Sequence, residues 1–281
     1  MKLLQKSIEK NLSYFFEEDD LARNAHYIQS LPSEEVNCHL KIKSDMLLCG
    51  LPFFIEVFNF LGTSPDIEIA SYEGKFFTQK ENKVISFKLP FGIALTGERI
   101  ALNLLQRASS IATTTYHLKA QLEGSNIELL DTRKTTPGLR FLEKYATRQG
   151  GASNHRFGQS DVWMIKDNHK SFFGGLENAY QFFRKQKTFY NPIVAEVHDL
   201  EEINICQRLG IKHLLLDNFS PETIQEAIKM KSKEMTYEVS GGIDSHNISR
   251  YKIVGIDAIS VGALTHSPKT VDLSLKFPVS L

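Results

Sequence analysis

From about residue 125 the chain repeats one step: a short apolar strand, a polar strand end, then an amphipathic helix. Strands are expected at 127–131, 162–166, 193–197, 213–217, 235–239 and 258–261. Helices are expected near 139–147, 176–187, 200–209, 221–231 and 245–251. Ser220-Pro221 shows the logic of a helix start, a side-chain cap followed by a residue preset for the first turn. Apolar strands joined by helices mean parallel strands with right-handed crossovers. Six such steps fall short of the eight of a closed barrel, so the second half reads as an open α/β barrel.

The first hundred residues lack this repeat. Helical spacing marks 7–16, through Ile8, Leu12, Phe15 and Phe16, and an apolar helix opened by Pro52 marks 51–61. Strands are expected at 39–42, 67–70 and 83–87. Pro90-Phe91-Gly92 reads as a joint, and 97–118 as one long helix with an apolar stripe through Ala101, Leu104, Leu105, Ala108, Ile111 and Ala112. The fold class expected is therefore α/β: an N-terminal α/β domain over 1–103, joined by the C-terminal segment 268–281, and a barrel domain over 104–267.

Charge excludes some partners. Lys plus Arg and Asp plus Glu each total 33, so the formal net charge is zero. A broad nucleic-acid surface needs an excess of positive charge. Three cysteines, Cys38, Cys49 and Cys206, are too few and too scattered for a zinc ribbon or a disulfide framework. The polar residues near the start interrupt any signal-peptide core, and the most apolar stretch, 47–61, is too short to span a bilayer. A cytoplasmic protein with no membrane and no nucleic-acid partner is expected.

In a βα barrel the chemistry gathers at the C-terminal strand ends. Here those ends carry Asp131-Thr132-Arg133-Lys134-Thr135-Thr136, then Lys166-Asp167-Asn168-His169, then Glu196 inside its strand. Asp217-Asn218, Ser240-Gly241-Gly242 and Val261-Gly262-Ala263 follow. From Glu196 onward the steps are 21, 23 and 22 residues, close to one βα unit each. Gly150-Gly151-Ala152-Ser153-Asn154-His155-Arg156 adds a loop expected to be flexible, with a further cation.

Taken singly, most of these have a bland reading. Asp131 and Asp217 are the kind of strand-end acid that bonds loop amides. A lone lysine such as Lys166 is more often on the surface, and a Ser-Gly-Gly run is more often a turn than an anion cradle. Glu196 is different, because a carboxylate within an apolar strand needs a partner. The shared position on successive strands outweighs the bland readings together. Arg133, Lys134, Arg156 and Lys166 supply cations for carboxylates or phosphates. Glu196 and Asp217 supply oxygens for Mg²⁺ or sugar hydroxyls. Gly241, Gly242 and Gly262 allow close backbone approach, with N–H groups expected to precede helices and suit a phosphate. The matching ligand is polyanionic, sugar-bearing and phosphorylated.

These motifs, in this order, resemble the quinolinate phosphoribosyltransferase (carboxylating nicotinate-nucleotide pyrophosphorylase) family. The resemblance rests on Asp131 to Arg140, Glu143-Lys144-Tyr145-Ala146, Asn154-His155-Arg156 and Ile165 to His169. It continues through Leu216 to Phe219, Ser240 to Ile243, Gly262 to Ser267 and, upstream, Glu98-Arg99 with Ala101-Leu102-Asn103. It implies a type II phosphoribosyltransferase-like fold, an N-terminal α/β sandwich beside the open barrel. The implied reaction moves a phosphoribosyl group from phosphoribosyl pyrophosphate to quinolinate with decarboxylation, giving nicotinate mononucleotide, pyrophosphate and carbon dioxide in de novo NAD synthesis.

The resemblance implies a homodimer in which Arg99 reaches the neighbouring subunit's site. Arg133, Lys134, Arg156 and Lys166 would hold quinolinate carboxylates and phosphates, with Thr132 and His155 beside them. Glu196 and Asp217 would hold ribose hydroxyls and Mg²⁺, directly or not. The backbone at Ser240, Gly241 and Gly242 and at Val261, Gly262 and Ala263 would hold the 5′-phosphate. Lys134, Lys166, Glu196 and Asp217 are the expected catalytic set.

The chain departs from the family pattern in three places. Asp20-Leu21 continues into Ala22-Arg23-Asn24-Ala25-His26 rather than a Gly-Asp stretch, Ala152 stands where a third Gly is common, and His198 stands where an acid is common. Three other readings share parts of this pattern: a paralogue associated with molybdenum transport, a barrel lyase using Lys166 as a Schiff base, and a non-catalytic phosphoribosyl sensor.

Overall fold

The computed structural model describes residues 2–22 and 25–278. Arg23 and Asn24, within the atypical N-terminal segment, lie outside the described residues. The chain divides into two compact units, Met1–Tyr116 with Thr136–Gly150 and Pro268–Leu281, and His117–Thr135 with Gly151–Ser267.

In the first unit, β1 (Glu35–Ile42) pairs antiparallel with β4 (Val84–Pro90) on one side and β11 (Leu273–Lys276) on the other. Alternation fixes the buried face: Cys38, Leu40 and Ile42 of β1 point the same way as Ile85, Phe87 and Leu89 of β4, and all six are buried. Helix α1 (Lys2–Glu18) buries Ile8, Leu12 and Phe16, spaced four apart on one stripe. A short helix α2 (Ala25–Ser30) follows. Two-residue strands β2 (Met46–Leu47) and β3 (Phe76–Phe77) flank α3 (Leu51–Phe60), with its proline in the first turn as expected.

Helix α4 (Phe91–Gln121) starts directly after Pro90, so the expected joint is a strand running straight into a helix. The boundary between the units falls inside α4, at 116/117. Its polar positions serve the neighbouring backbone. Leu47 N–H donates to Thr113 Oγ1 (2.9 Å) and Cys49 N–H to Ser109 Oγ (3.0 Å), so an irregular buried segment keeps its hydrogen bonds. Helix α5 (Arg140–Gln149), expected between barrel strands, instead packs with the first unit, Leu142 and Ala146 joining that unit's core.

The second unit is a six-stranded, wholly parallel sheet: β5 (Glu128–Leu130), β6 (Trp163–Ile165), β7 (Ile193–Val197), β8 (His213–Asp217), β9 (Thr236–Ser240) and β10 (Ala258–Ser260). The spatial order is β5-β10-β9-β8-β7-β6. Among the described residues no ladder joins β5 to β6, so the barrel is open there. Helices α6 (Asp167–Phe173), α7 (Leu176–Gln186), α8 (Leu200–Leu209) and α9 (Pro221–Met230) cover one face, with α10 (Ala263–His266) after β10. Ala195, Val197, Leu214, Leu216, Tyr237, Val239 and Ile259 share a core with Ile203, Cys206, Ile224 and Ala227 of those helices. No helix among the described residues is long and apolar enough to cross a membrane.

Two expected elements are corrected. Residues 67–70 form no strand; a 3-10 turn covers Ile69–Ser71, with the Ser71 hydroxyl donating to the Glu68 carboxylate (2.6 Å). The helix expected at 245–251 is a 3-10 turn at Ile248–Tyr251 alone. There Asp244 accepts from His246 N–H and Asn247 Oδ1 accepts from Asp244 N–H, local bonds that compete with a helical ladder.

Gly150 is not part of a flexible loop. It caps α5 against α4, where an added Cβ would lie 2.5 Å from Thr115 Cβ and 2.6 Å from the Ala112 carbonyl oxygen. Its φ of −75° suits any residue, so the constraint is steric alone. Gly150→Ala is expected to lower stability by about 1–3 kcal/mol, the usual range for an overpacked contact, read from urea denaturation.

Candidate active site

Side chains alternate along a strand, and strand register decides which meet. Glu196 of β7 pairs with Leu215 of β8, Leu215 with Glu238 of β9, and Glu238 with Ala258 of β10. Ile165 pairs with Ala195, so Lys166 comes opposite Glu196 one step on. Asp217 pairs with Ser240 in the next inward row. The sheet face away from the helices therefore carries Lys166, Glu196, Asp217, Glu238 and Ser240, where a packed core would carry apolar residues.

These residues line one cavity of about 430 Å³, shared with Thr132, Arg133, Lys134, His155, Arg156, Met164, Leu215 and Ser260. A neighbouring cavity of about 400 Å³ is lined by Arg133, Arg156 and Lys166 again, with Gln159, Ser160, Trp163, His169 and Phe183. Three cations thus face both spaces. Lys166 Nζ is in direct contact with Glu196 Oε2. Arg133 Nε is buried and has no hydrogen-bond partner among the described residues. Burial, and Arg133 beside it, hold the Arg156 guanidinium below the ordinary arginine range. An orphaned buried donor of this kind costs about 1–3 kcal/mol until an acceptor meets it. The arrangement is complementary to an anion.

The acids cluster on the other side of Lys166. His198 Nε2 lies 2.6 Å from Asp167 Oδ1 and 3.9 Å from Glu196 Oε1, and its Nδ1 lies 4.0 Å from Asp217 Oδ2. Asp167, Glu196 and His198 present ligand atoms within 4.8 Å of one another. Carboxylate oxygens are the donors Mg²⁺ takes, so the residues present fit that ion.

The glycine turns are tight for identifiable reasons. Gly241 has φ +102°, and a Cβ there would fall 2.2 Å from Asn218 Oδ1. Asn218 is itself left-handed and donates its N–H to the Ser240 carbonyl (2.8 Å). A Cβ on Gly262 would meet Lys134 Cδ at 2.9 Å. Gly241, Gly242, Val261, Gly262 and Ala263 follow the strand ends and do not line the larger cavity; Ser240 does. Among the described residues no long helix follows either turn, α10 being four residues, so the expected helix N-termini are replaced by loop amides. Arg99 lies on α4 in the first unit, where it lines a separate cavity of about 210 Å³ with Glu18, Asp19, Asn103 and Arg107.

Sequence reasoning missed Glu238, Trp163, Ser260 and the roles of Asp167 and His169. Glu238 carried the same signal as Glu196, an acid between apolar residues of a strand. His169 is fixed by its surroundings. Lys166 N–H donates to His169 Nδ1 (2.9 Å), so that nitrogen keeps its lone pair and Nε2 holds the proton. The ring stands edge-on to Phe183, centroids 4.9 Å apart.

Comparison with known proteins gives concordant results. Residues 22–109 match the model of the quinolinate phosphoribosyl transferase N-terminal domain, and 111–276 that of the C-terminal domain. The chain is 35% identical over 275 residues to a probable carboxylating nicotinate-nucleotide pyrophosphorylase of Bacillus subtilis, covering 97% of this chain and 94% of that protein. It is 34% identical over 261 residues to the carboxylating nicotinate-nucleotide pyrophosphorylase of Dictyostelium discoideum, covering 87% of each. The solved nicotinate-nucleotide pyrophosphorylase of Francisella tularensis superposes with a TM-score of 0.87 at 34% identity, over 98% of this chain and 97% of that one.

Burial, then the charges of Lys166 and Arg156, lower the His169 pKa. Its folded value therefore lies below the unfolded value of about 6.5. Stability from this group is complete above that pH and is lost as pH falls through the folded value. Melting temperature is expected to drop below about pH 6.5 in the parent protein, and His169→Asn, which keeps an acceptor but cannot titrate, is expected to flatten that slope.

Proposed function

Because the chain belongs to the quinolinate phosphoribosyl transferase family, we infer that the cationic cavity of its second unit carries that family's reaction. The protein transfers the phosphoribosyl group of phosphoribosyl pyrophosphate to quinolinate and releases carbon dioxide and pyrophosphate, yielding nicotinate mononucleotide for NAD synthesis. The observation that carries the site assignment is the trio Arg133, Arg156 and Lys166 lining both cavities, with Arg133 Nε awaiting an acceptor.

Arg133, Arg156 and Lys166 take the two carboxylates of quinolinate, the smaller space beside Trp163 and His169 receiving the ring. Lys134, with Thr132 at hand, faces the phosphates, and the turns at Ser240–Gly242 and Val261–Ala263 offer amides to the 5′-phosphate. Asp167 and Glu196 lie together beside His198, with Asp217 on its other ring nitrogen. Glu196 and Asp217 accept from the ribose hydroxyls, and these two with Asp167 supply the carboxylate oxygens that would hold Mg²⁺. That ion, when bound, supplies charge to the departing pyrophosphate.

The chemistry asks mainly for orientation and charge. As pyrophosphate leaves, positive charge develops at the anomeric carbon, near the acids, and negative charge at the leaving group, near the lysines and arginines. The ring nitrogen bonds to that carbon. When the adjacent carboxylate departs as carbon dioxide, the electron pair stays on the ring carbon it leaves, as an ylide stabilised by the neighbouring pyridinium charge, and a proton from solvent completes the C–H bond. No protein base is needed. Lys166 Nζ is held in contact with Glu196, which engages the nitrogen that a Schiff-base lyase would need free to attack a carbonyl.

A homodimer in which Arg99 completes the partner's site is part of this proposal. So is a cytoplasmic setting, which the three buried free thiols suit. Arg133→Ala, Glu196→Ala and Asp217→Ala are each expected to lower turnover by about 10²–10³-fold, the cost of removing one preorganised charge partner. The assay is release of labelled carbon dioxide from quinolinate, with melting temperatures kept near the parent's; wild-type turnover in Glu196→Ala would overturn the assignment.

Arg99→Ala alone is expected to be inactive, yet to regain activity when mixed with inactive Glu196→Ala. Random exchange of subunits restores about one site in four if each site uses both chains. Absence of any recovery after subunit exchange would argue against the shared site.

A further inference from the structure

Arg156 follows a histidine that is braced by an acid on a neighbouring strand, and no hydrogen bond among the described residues joins that acid to Arg156 itself. His155 is fully engaged within the second unit. Its backbone N–H donates to Asp131 Oδ1 (2.8 Å), its Nδ1 accepts the Arg156 backbone N–H (2.7 Å), and its Nε2 lies 3.2 Å from Glu238 Oε2. Nδ1 cannot accept from an amide and carry a proton at once, so Nε2 holds the proton and donates it to Glu238. The imidazole is thus spent inside the protein, between an acid on β9 and the backbone that aims the Arg156 guanidinium. That guanidinium is itself steadied by a bond to the Val162 carbonyl (2.8 Å).

Glu238 makes its side-chain hydrogen bond to His155, and its charge also favours the charged form of Arg156. Its Oε1 is buried without a hydrogen-bond partner, and the side chain lines the larger cavity from the row that also holds Lys166 and Glu196. A carboxylate buried in this way costs stability unless its single bond does something the fold needs. The bond it makes fixes one tautomer and one ring orientation of His155.

We propose that Glu238 is a positioning residue for the dicarboxylate subsite: through His155 it sets the backbone of Arg156 and so the placement of that cation. This rests on the reading of the cavity given above. Glu238 touches no substrate in this assignment. Its loss should weaken quinolinate binding while leaving phosphoribosyl pyrophosphate affinity unchanged, because Lys134, Asp217 and the glycine turns do not run through His155.

Trp163, the chain's sole tryptophan, lines the smaller cavity with Arg133, Arg156 and Lys166, so its fluorescence reports occupancy without turnover. The probe is benzene-1,2-dicarboxylate, which carries the two acid groups but no ring nitrogen to react. Glu238→Leu is expected to raise its Kd about tenfold, one charge-assisted hydrogen bond's worth. Glu238→Gln, which can still accept from His155 Nε2, is expected to stay within about threefold of the parent.

Because Glu238→Leu could fail to fold, the same loss is read independently in His155→Leu. On that background Glu238→Leu should add nothing, since its effect runs through the absent ring. Parent-like affinity in Glu238→Leu overturns the proposal, as does equal loss in the Gln and Leu variants, or additive losses in the double variant. Failure of the parent protein to bind the probe at all would instead count against the cavity assignment itself.

Discussion

The two-residue period of a parallel strand is the constraint on which the site depends. A sheet covered by helices on one face can bury apolar residues there and leave the other face to chemistry. Strands β6 to β9 do this in register: Ala195, Leu214, Leu216, Tyr237 and Val239 go to the helices, while Lys166, Glu196, Asp217, Glu238 and Ser240 go inward. A slip of one residue in any strand would exchange the two sets, putting a carboxylate among leucines and a leucine in the cavity. The apolar packing against α8 and α9 thereby specifies the position of the charges.

That arrangement carries an electrostatic cost that the ligands are suited to offset. The Lys166–Glu196 contact neutralises one pair, and His198 sits among Asp167, Glu196 and Asp217. Burial, with Arg133 beside it, disfavours the charged form of Arg156, and Arg133 Nε is buried without a hydrogen-bond partner among the described residues. A protein that only had to fold would replace such groups by apolar ones at little loss. Keeping them leaves buried donors and cations that an anionic ligand would satisfy, which is the complementarity the proposed function uses.

Much of this was legible in the sequence, and the exceptions have physical causes. Strands β7 and β8 were bounded correctly because their apolar runs are complete and their ends are marked by charge. Glu196 stood out because an acid between Ala195 and Val197 violates the pattern; Glu238, between Tyr237 and Val239, violated it equally and was passed over. The helix expected near 139–147 falls between barrel strands in the sequence, yet the core it joins is that of the first unit, and sequence order does not reveal that partner. Hydrophobic periodicity does not register the 3-10 turns at Ile69 and Ile248, because they are held by local polar bonds: Glu68 accepts from the Ser71 hydroxyl, and Asp244 and Asn247 accept from nearby backbone N–H groups. No sequence pattern gives the engagement of His155, since it joins residues 83 positions apart.

The segregation of charge also explains why an open barrel with no dedicated base suffices. In transfer of a phosphoribosyl group, positive charge grows at the sugar while negative charge grows on what leaves, and both must be met without water competing for either. The strand ends place acids on β7 and β8 and cations on the segments after β5 and β6, so the two developing charges are met from different elements. At the tight turns of Gly241 and Gly262 an added Cβ would meet Asn218 or Lys134, so bare backbone is kept at the two places where the proposed function puts the 5′-phosphate. Because these groups sit on regular strands or on turns braced against them, little reorganisation remains to be done when the bond breaks, and that preorganisation is the protein's main contribution to the rate.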